Sequence, residues 1–546
     1  MTFFFHQLKN FIQNDPLSDW LTHVHLVFNC FEPDPQTTFQ EEIDEKKSSY
    51  KKDFFGFLKQ YKEHVFYKDL TSEQTKEVIY AKEVCVCIQS ELYHTDFDIL
   101  VKPDLIIHRD IFKNIFTEVD DSDLPEYIVI DILYKIVQFN ADKTDILNQG
   151  SIFYHKCKML VASQCLNPDQ RRGYIFAKEY RHRDKTLRKK ECIGIISFTE
   201  QMEDTIQGAL EWLSRLSKEH QDWIVEPKPS VKELYPNMNC KTGLWTKEKK
   251  RIAESIKEIT LVWNISYQKR CILLDKGITT WDDPILLHNI YPYEVKESKR
   301  ELIQEKMIHI NTQEELKIQP RRIKNPEFIQ HIRNQANSIV LDIESVLNLD
   351  EKESYFTDDI QANYIQANDT PKICIIGTIL LNEDMIFKDF TIKYLTNEEE
   401  EVIIKYWLNF LRKYFKDTIK IYHWGNAEKV YLEYMMKKYP ELKYPKFELV
   451  DLVKYFKEEP ITIQGCFGYG LKEIVKQLYS FNLIENQWQD DTDGLEAMIQ
   501  IMKTSEEAEQ KRIPLKRFTE IKKIIYYNYM DCRVIIDILQ LLQTMV

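Results

Sequence analysis

The stretch Ser338-Ile-Val-Leu-Asp-Ile-Glu344 decides how the C-terminal half of this chain folds. It is apolar and rich in β-branched residues, which predicts a buried strand. Because residues two apart on a strand face the same side, Asp342 and Glu344 are expected to point in one direction. The sequence therefore predicts a pair of neighbouring carboxylates on one face of a sheet.

Two further carboxylates lie beside apolar elements later in the chain. A second predicted strand, Thr418-Ile-Lys-Ile-Tyr-His-Trp424, is followed by Glu428 near the start of a helical pattern, and Asp531 lies on a long amphipathic stretch. Hard oxygen ligands from separate elements suit Mg²⁺ or Mn²⁺. Two such ions about 4 Å apart can activate water and stabilise the leaving oxygen of a phosphodiester. We therefore predict a two-ion site formed by four carboxylates, those of Asp342, Glu344, Glu428 and Asp531.

The order of these motifs resembles the DEDD 3′-5′ exonuclease superfamily, which has an RNase H-like fold. The resemblance covers roughly residues 335–546 and is strongest to the branch found beside RecB-like domains. The similar segments are 422–428, 448–452, 469–474 and 527–532. The resemblance implies that the four carboxylates are catalytic metal ligands and that Tyr527 orients the attacking water. It also implies that Asp451 is a supporting carboxylate, and we expect His423 to support a neighbouring carboxylate rather than to bind metal.

The N-terminal part of the chain contains a second nuclease-like pattern. Asp104 precedes an apolar run, and Asp131 lies in the predicted strand Tyr127-Ile-Val-Ile-Asp-Ile-Leu-Tyr-Lys135. Roughly residues 70–185 resemble the PD-(D/E)xK fold of RecB-like nucleases, in which carboxylates bind metal and a lysine positions or activates water. Leu133 occupies the position of that lysine, and the Gln-x-x-x-Tyr helix motif of the family is missing. We therefore predict a degenerate scaffold, with Lys135, on the same face as Asp131, as a migrated lysine in the alternative.

A basic stripe follows at residues 171–190. It contains nine lysine or arginine residues with interleaved aromatic residues, which could contact phosphates and stack on bases. A charged hairpin that faces solvent explains the same pattern equally well. The candidate nucleic-acid-binding residues are Arg171, Arg172, Arg181, Arg183, Lys185, Arg188, Lys189 and Lys190.

Proline-rich linkers near residues 226–237 and 319–327 suggest an α/β protein with three parts. Residues 1–235 would form the PD-(D/E)xK-like domain, residues 236–330 a small helical spacer, and residues 331–546 the RNase H-like domain. The segment Leu261–Trp281 resembles half of a helix-hairpin-helix module, which would bind a phosphate. A plain helical spacer with Gly277 as a helix C-cap is the alternative.

Composition limits the remaining classes. The net charge of −13 argues against indiscriminate nucleic-acid binding, so a local basic surface would have to attract the phosphates. No Cys-x-x-Cys pair occurs, which disfavours a structural zinc site built from local pairs. The short apolar start at residues 1–5 is too short for a secretory core. We expect an intracellular protein of the cytoplasm or nucleus, and the Lys, Ile, Tyr and Phe bias is typical of an AT-rich genome such as that of a large DNA virus or a parasite.

The sequence thus favours a metal-dependent nuclease, with 3′-5′ exonuclease activity in the C-terminal domain. Nucleic acid is the expected partner, with DNA ranked above RNA. Replication or repair proteins are expected as further partners, and binding to a membrane is not expected. Two alternatives remain open at this stage. In one, the N-terminal domain is the active nuclease; in the other, both folds are inactive nucleic-acid-binding surfaces in a replication or repair complex.

Overall fold

The computed structural model describes most of the chain. The residues that it does not describe are 1, 29, 36–37, 60–63, 118, 120–123, 149, 184, 188–192, 241–242, 292–297, 314, 347–370, 382–384 and 490–493. The described residues form two compact units, residues 2–258 and residues 259–346 with 371–546. The predicted spacer, 236–330, is thus divided, since residues 236–258 belong to the first unit and the described residues from 259 onward to the second.

The first unit is a mixed α/β structure. Its strands are β1 (Phe3–Phe4), β2 (Val65–Lys68), β3 (Cys85–Ile88), β4 (Leu92–His94), β5 (Ile99–Val101), β6 (Leu105–His108), β7 (Tyr127–Gln138), β8 (Arg172–His182), β9 (Lys185–Leu187) and β10 (Gly194–Ser197). Its helices are α1 (Lys9–Ile12), α2 (Leu17–Phe28), α3 (Thr38–Leu58), α4 (Ser72–Tyr80), α5 (Arg109–Ile115), α6 (Ile152–Leu166), α7 (Glu200–Glu219) and α8 (Thr246–Ser255).

The main sheet of the first unit has the strand order β10-β8-β7-β6-β3-β2, and β9 pairs with β8. Strands β7 and β8 are parallel, whereas β6 runs antiparallel to β7. One apolar core lies on each face of this sheet. Helices α6 and α7 contribute to one core, and α3 and α5 contribute to the other. A sheet covered on both faces explains why β7 begins with an uninterrupted buried run.

The second unit is also mixed α/β. Its strands are β11 (Ile318–Gln319), β12 (Ser338–Val346), β13 (Lys372–Leu380), β14 (Phe387–Thr391), β15 (Ile419–His423), β16 (Phe447–Asp451) and β17 (Thr462–Ile463). Its helices are α9 (Tyr267–Asp275), α10 (Leu286–Ile290), α11 (Lys299–Thr312), α12 (Pro326–Arg333), α13 (Asn397–Tyr414), α14 (Ala427–Lys438), α15 (Leu452–Glu458), α16 (Leu471–Ser480), α17 (Gly494–Lys511) and α18 (Thr519–Gln543). Short 3₁₀ helices occur in the first unit at Phe5–Leu8, His220–Asp222 and Lys232–Leu234. In the second unit they occur at Ile259–Leu261 and Leu515–Arg517.

The five-stranded sheet of the second unit has the order β14-β13-β12-β15-β16. Strand β12 is central: it pairs antiparallel with β13 and parallel with β15. Helix α18 packs against β12 and β13, and its apolar residues join the core that also contains residues of α12, α15 and α16. The predicted strands 338–344 and 418–424 correspond to β12 and β15, and the predicted helices to α14 and α18.

Helix α9 ends where the spacer hypothesis predicts. Ser266 caps its N-terminus by accepting a hydrogen bond from the Lys269 backbone N–H. Gly277 follows the last turn with φ +81°, a left-handed conformation that favours glycine after a helix. Among the described residues, no helix combines the length and the apolar character needed to cross a membrane.

Candidate metal centre

Three of the predicted carboxylates meet where α18 packs against β12. Asp342 and Glu344 lie two residues apart on β12, and α18 brings Asp531 to them. One carboxylate oxygen from each residue lies within 4.8 Å of the others. Glu344 and Asp531 are buried, whereas Asp342 is partly exposed. A β-bulge follows Glu344 directly, where the pairing of β12 with β13 shifts register. Such bulges commonly redirect a side chain beside a functional site.

Glu428 reaches the same place from the first turn of α14. It lines a cavity of about 500 Å³ together with Asp342, Asp531 and Tyr527. Its carboxylate is buried, and its Oε2 atom has no hydrogen-bond partner among the described residues. A buried acceptor of this kind normally requires a partner. Three of the predicted ligands, Asp342, Glu428 and Asp531, therefore line one cavity, and Glu344 lies beside two of them.

The loop before α14 is held in place by the two residues expected to support the site. His423 donates from Nδ1 to the Gly425 carbonyl at 2.8 Å, and this nitrogen lies 3.6 Å from Glu428 Oε2. Asp451 accepts the Gly425 backbone N–H at 3.0 Å and also caps α15. Gly425 has φ +90°, so this turn favours glycine. His423 and Asp451 thus orient the segment that presents Glu428.

Tyr527 lies one helical turn before Asp531 on α18, so both side chains face the same cavity. Burial and then the negative charge of Asp531 raise the pKa of Tyr527 far above its usual range. Its hydroxyl group therefore keeps its proton at neutral pH. The Lys472 ammonium group lies 5.1 Å from the centre of the Tyr527 ring and also lines the cavity. Lys472 occurs in the family-like segment 469–474, but sequence reasoning assigned it no role.

Asn528 and Gly377 also belong to the site, although sequence reasoning missed both. Asn528 is fully buried on α18 and donates from Nδ2 to Asp342 Oδ2 at 2.5 Å. Gly377 on β13 pairs with Asp342, and a Cβ atom at this position would lie 1.6 Å from Asn528 Oδ1. Only glycine allows α18 to approach the sheet this closely. A glycine within an apolar strand was the available sequence indication of such an approach.

The crowded carboxylates share protons when no cation is bound. Burial, and then repulsion by Asp531, raises the pKa of Glu344 to about 8 and that of Asp342 well above its ordinary range. Burial likewise raises the pKa of Asp531 to about 7, against a lowering by the Tyr527 hydroxyl group. The ionised cluster is therefore unfavourable by itself, and a divalent cation would stabilise it.

These shifts predict that the metal-free protein becomes less stable as the pH rises. The folded-state pKa values of Glu344 and Asp531 exceed the ordinary values of 4.5 and 3.8. Their stabilising, protonated forms are therefore complete below about pH 4 and are lost as the pH rises through about 7 to 8. Thermal melting in a chelator from about pH 5 to about pH 8.5 should show a fall in Tm of about 5 °C or more.

Excess Mg²⁺ or Mn²⁺ should remove most of this fall, because cation binding favours the ionised carboxylates. Ca²⁺ is the control for the identity of the divalent cation. K⁺ at the same ionic strength is the control for screening of the carboxylate charges by salt. A Tm that is constant across this pH range in the chelator would contradict the electrostatic description of the cluster.

The N-terminal carboxylates have a different environment. Asp131 is buried between Lys158 Nζ, at 2.7 Å, and His155 Nδ1, at 2.8 Å. Asp104 pairs with Lys51 at 2.6 Å and accepts the Ile132 backbone N–H at 2.8 Å. Although burial opposes its ionisation, Lys158 and then His155 lower the pKa of Asp131 far below its ordinary range.

Lys135 lies on the side of β7 that faces α6, but its contact is not with Asp131. Its ammonium group donates to the Ser151 hydroxyl at 2.5 Å, whereas Asp131 contacts His155 and Lys158 further along α6. Both side chains thus face α6, as the two-residue alternation predicted, although the pairing of β7 with β8 shifts register between Leu133 and Ile136. Burial lowers the pKa of Lys135.

The basic stripe forms a hairpin in its described part. Strand β8 pairs antiparallel with β9. Arg171, Arg172, Arg181 and Arg183 are exposed, and Arg181 contacts Glu179 at 3.3 Å. Lys185 begins β9, and Arg188, Lys189 and Lys190 lie outside the described residues.

Comparisons of the chain with protein-family models, curated proteins and solved structures found no match. The geometry of the two carboxylate clusters therefore carries the functional argument.

Proposed function

We propose that this protein is a metal-dependent nuclease that hydrolyses phosphodiester bonds at the carboxylate cluster of its second unit. The observation that carries the proposal is the convergence of Asp342, Glu344 and Asp531 within 4.8 Å. Among the described residues, none of these three forms a salt bridge with lysine or arginine. The Asp131 cluster, by contrast, is neutralised by Lys158. An unneutralised cluster beside a cavity is suited to a cation and an anionic substrate.

The donor set fits hard divalent cations. All four ligands are carboxylates, and the Oε2 atom of Glu428, which has no hydrogen-bond partner within the described part of the chain, supplies an acceptor. We infer that Asp342, Glu344, Glu428 and Asp531 would hold two Mg²⁺ or Mn²⁺ ions. When bound, these ions would polarise the phosphodiester as Lewis acids and would lower the pKa of a water molecule.

The surrounding side chains of the chain would position the substrate. The protonated Tyr527 hydroxyl can donate a hydrogen bond to a water or a phosphate oxygen in the cavity. Lys472 places a positive charge in the same cavity, where it can contact a phosphate. Asn528 fixes one oxygen of Asp342, which leaves the other oxygen for a ligand. The mixed five-stranded sheet is compatible with the RNase H-like fold that the resemblance implies.

The finer parts of the proposal rest on the family resemblance. They are hydrolysis from a 3′ end, a preference for DNA over RNA, and partners among replication or repair proteins. For the first unit we propose a PD-(D/E)xK-like scaffold without activity, because both of its candidate ligands are paired with lysine.

The decisive test is cleavage of 5′-labelled and 3′-labelled single-stranded DNA and RNA with Mg²⁺, with Mn²⁺ or with a chelator. Wild type, Asp342→Asn and Asp131→Asn are compared. We expect a ladder that shortens from the 3′ end, requires the divalent cation, is lost in Asp342→Asn and persists in Asp131→Asn. Loss of cleavage in Asp131→Asn alone, in a variant with wild-type thermal stability, would instead place the chemistry in the first unit. If neither wild type nor either variant cleaved any of the substrates, the result would favour a nucleic-acid-binding scaffold without activity.

A further inference from the structure

The second unit contains another cavity, about 780 Å³ in volume, away from the carboxylates. Its wall includes Trp263 and Tyr291, the start of α11 and the last turns of α15. The described residues that line it differ from those that line the cavity of the carboxylate cluster. A cavity of this size can accommodate a nucleotide.

The charge of this cavity is opposite to that of the whole protein. Among the described residues that line it, four side chains are basic and one, that of Glu458, is a carboxylate. The four are Lys299, Arg300, Lys454 and Lys457. Glu458 lies 3.8 Å from Lys299, while Arg300 and Lys454 are exposed. In a chain with a net charge of −13, this concentration of positive charge favours an anionic ligand locally.

The aromatic part of the wall is held by a buried glutamine. Gln304 is fully buried, and its Oε1 atom accepts the Tyr291 hydroxyl at 2.9 Å. Its Nε2 atom donates to the Trp263 carbonyl at 2.9 Å. The Lys457 ammonium group lies 5.4 Å from the centre of the Trp263 ring. Aromatic rings fixed beside cations are suited to stacking of bases next to phosphate contacts.

The two cavities are neighbours across Tyr469. The Trp263 ring packs edge-on against the Tyr469 ring, with a centroid separation of 5.9 Å. The Tyr469 carbonyl accepts the Trp424 indole N–H at 3.0 Å. Trp424 and Gly470 line the cavity of the carboxylate cluster. One short polymer could therefore occupy both cavities by crossing this wall.

We propose that the basic aromatic cavity binds the single-stranded nucleic acid whose end lies at the carboxylate cluster. Phosphates would contact Arg300, Lys454 and Lys457, and a base would stack on Trp263 or Tyr291. The assignment of this path rests on the proposed nuclease function, but binding is measured in a chelator and so independently of cleavage.

The test compares Arg300→Glu/Lys454→Glu with wild type by fluorescence anisotropy of a labelled oligothymidylate. Both side chains are exposed, so the protein should fold normally. We expect binding at least about tenfold weaker, with a salt slope reduced by about 1.4, since each lost single-strand phosphate contact contributes about 0.7. Lys405→Glu/Lys413→Glu is the matched control, because it makes the same charge change at exposed positions of α13 that line neither cavity. Its binding should stay within about twofold of wild type.

An abasic oligonucleotide of equal length tests the stacking contribution, and it should bind wild type more weakly than the oligothymidylate. Equal binding by wild type and Arg300→Glu/Lys454→Glu would overturn the inference, even if wild type cleaves DNA. Equal weakening by the control pair would also overturn it. Selective weakening in a protein that cleaves nothing would support the binding cavity while removing the proposed activity.

Discussion

Asp531→Asn is expected to reduce phosphodiester cleavage by about 10³-fold or more. Asp531 completes the cluster with Asp342 and Glu344, and it lines the same cavity as Tyr527. An amide offers one neutral oxygen in place of a carboxylate, which weakens a site that binds hard cations. The measurement is the initial rate of shortening of a 5′-labelled strand in saturating Mn²⁺. A variant that retains more than about a tenth of wild-type activity would contradict the assignment.

The same substitution should raise the Tm of the metal-free protein at about pH 8. At that pH the pKa of Asp531, about 7, leaves it mostly ionised beside other carboxylates. Asparagine has nearly the same shape and removes this repulsion. Activity and stability would then move in opposite directions, which general misfolding cannot produce.

Glu520→Gln is the matched control for this experiment. It removes one negative charge from the exposed first turn of the same helix, α18. Its activity should stay within about twofold of wild type, and its Tm should be nearly unchanged. If both variants raised the Tm equally, the gain would come from the net charge of the protein rather than from the cluster.

Lys158→Met is expected to destabilise the first unit by about 3–5 kcal/mol. The substitution leaves the Asp131 carboxylate buried without its closest cation, which now lies at 2.7 Å. Chemical denaturation followed by circular dichroism measures the loss. Cleavage by the folded fraction should persist, since we place the chemistry in the second unit.

A double substitution separates the ion pair from simple packing. Asp131→Leu/Lys158→Met removes both charges and should recover a substantial part of the lost stability, because no unpaired buried charge remains. Lys76→Met, at an exposed position of α4, controls for loss of a lysine. If Lys158→Met cost less than about 1 kcal/mol, Asp131 would be stabilised mainly by other groups.

The sequence predicted the elements that carry the metal centre because each has a strong local pattern. The β-branched run around Asp342 is β12, and the amphipathic stretch around Asp531 is α18. Alternation also predicted that Asp342 and Glu344 share a face, and both belong to the three-carboxylate group. These features depend on neighbours in the chain, which a single sequence displays directly.

The ion-pair partners of the two N-terminal carboxylates were not predictable, because they come from distant segments of the chain. Asp104 pairs with Lys51 from α3, and Asp131 pairs with Lys158 from α6. Nothing in the local pattern of either lysine indicates such a partner. Alternation indicated which side of β7 Lys135 faces, but its hydrogen bond to Ser151 depends on where α6 begins. The division of the predicted spacer between two units likewise depends on packing rather than on proline content.

The contact between Gly377 and Asn528 has a consequence for how this site can diverge. A side chain at position 377 is compatible with the helix only if position 528 carries a smaller residue. A smaller residue at 528, however, removes the amide that holds Asp342. A change at position 377 therefore clashes with the helix, and the change at position 528 that relieves the clash releases Asp342. Substitutions in this strand and this helix are therefore constrained together.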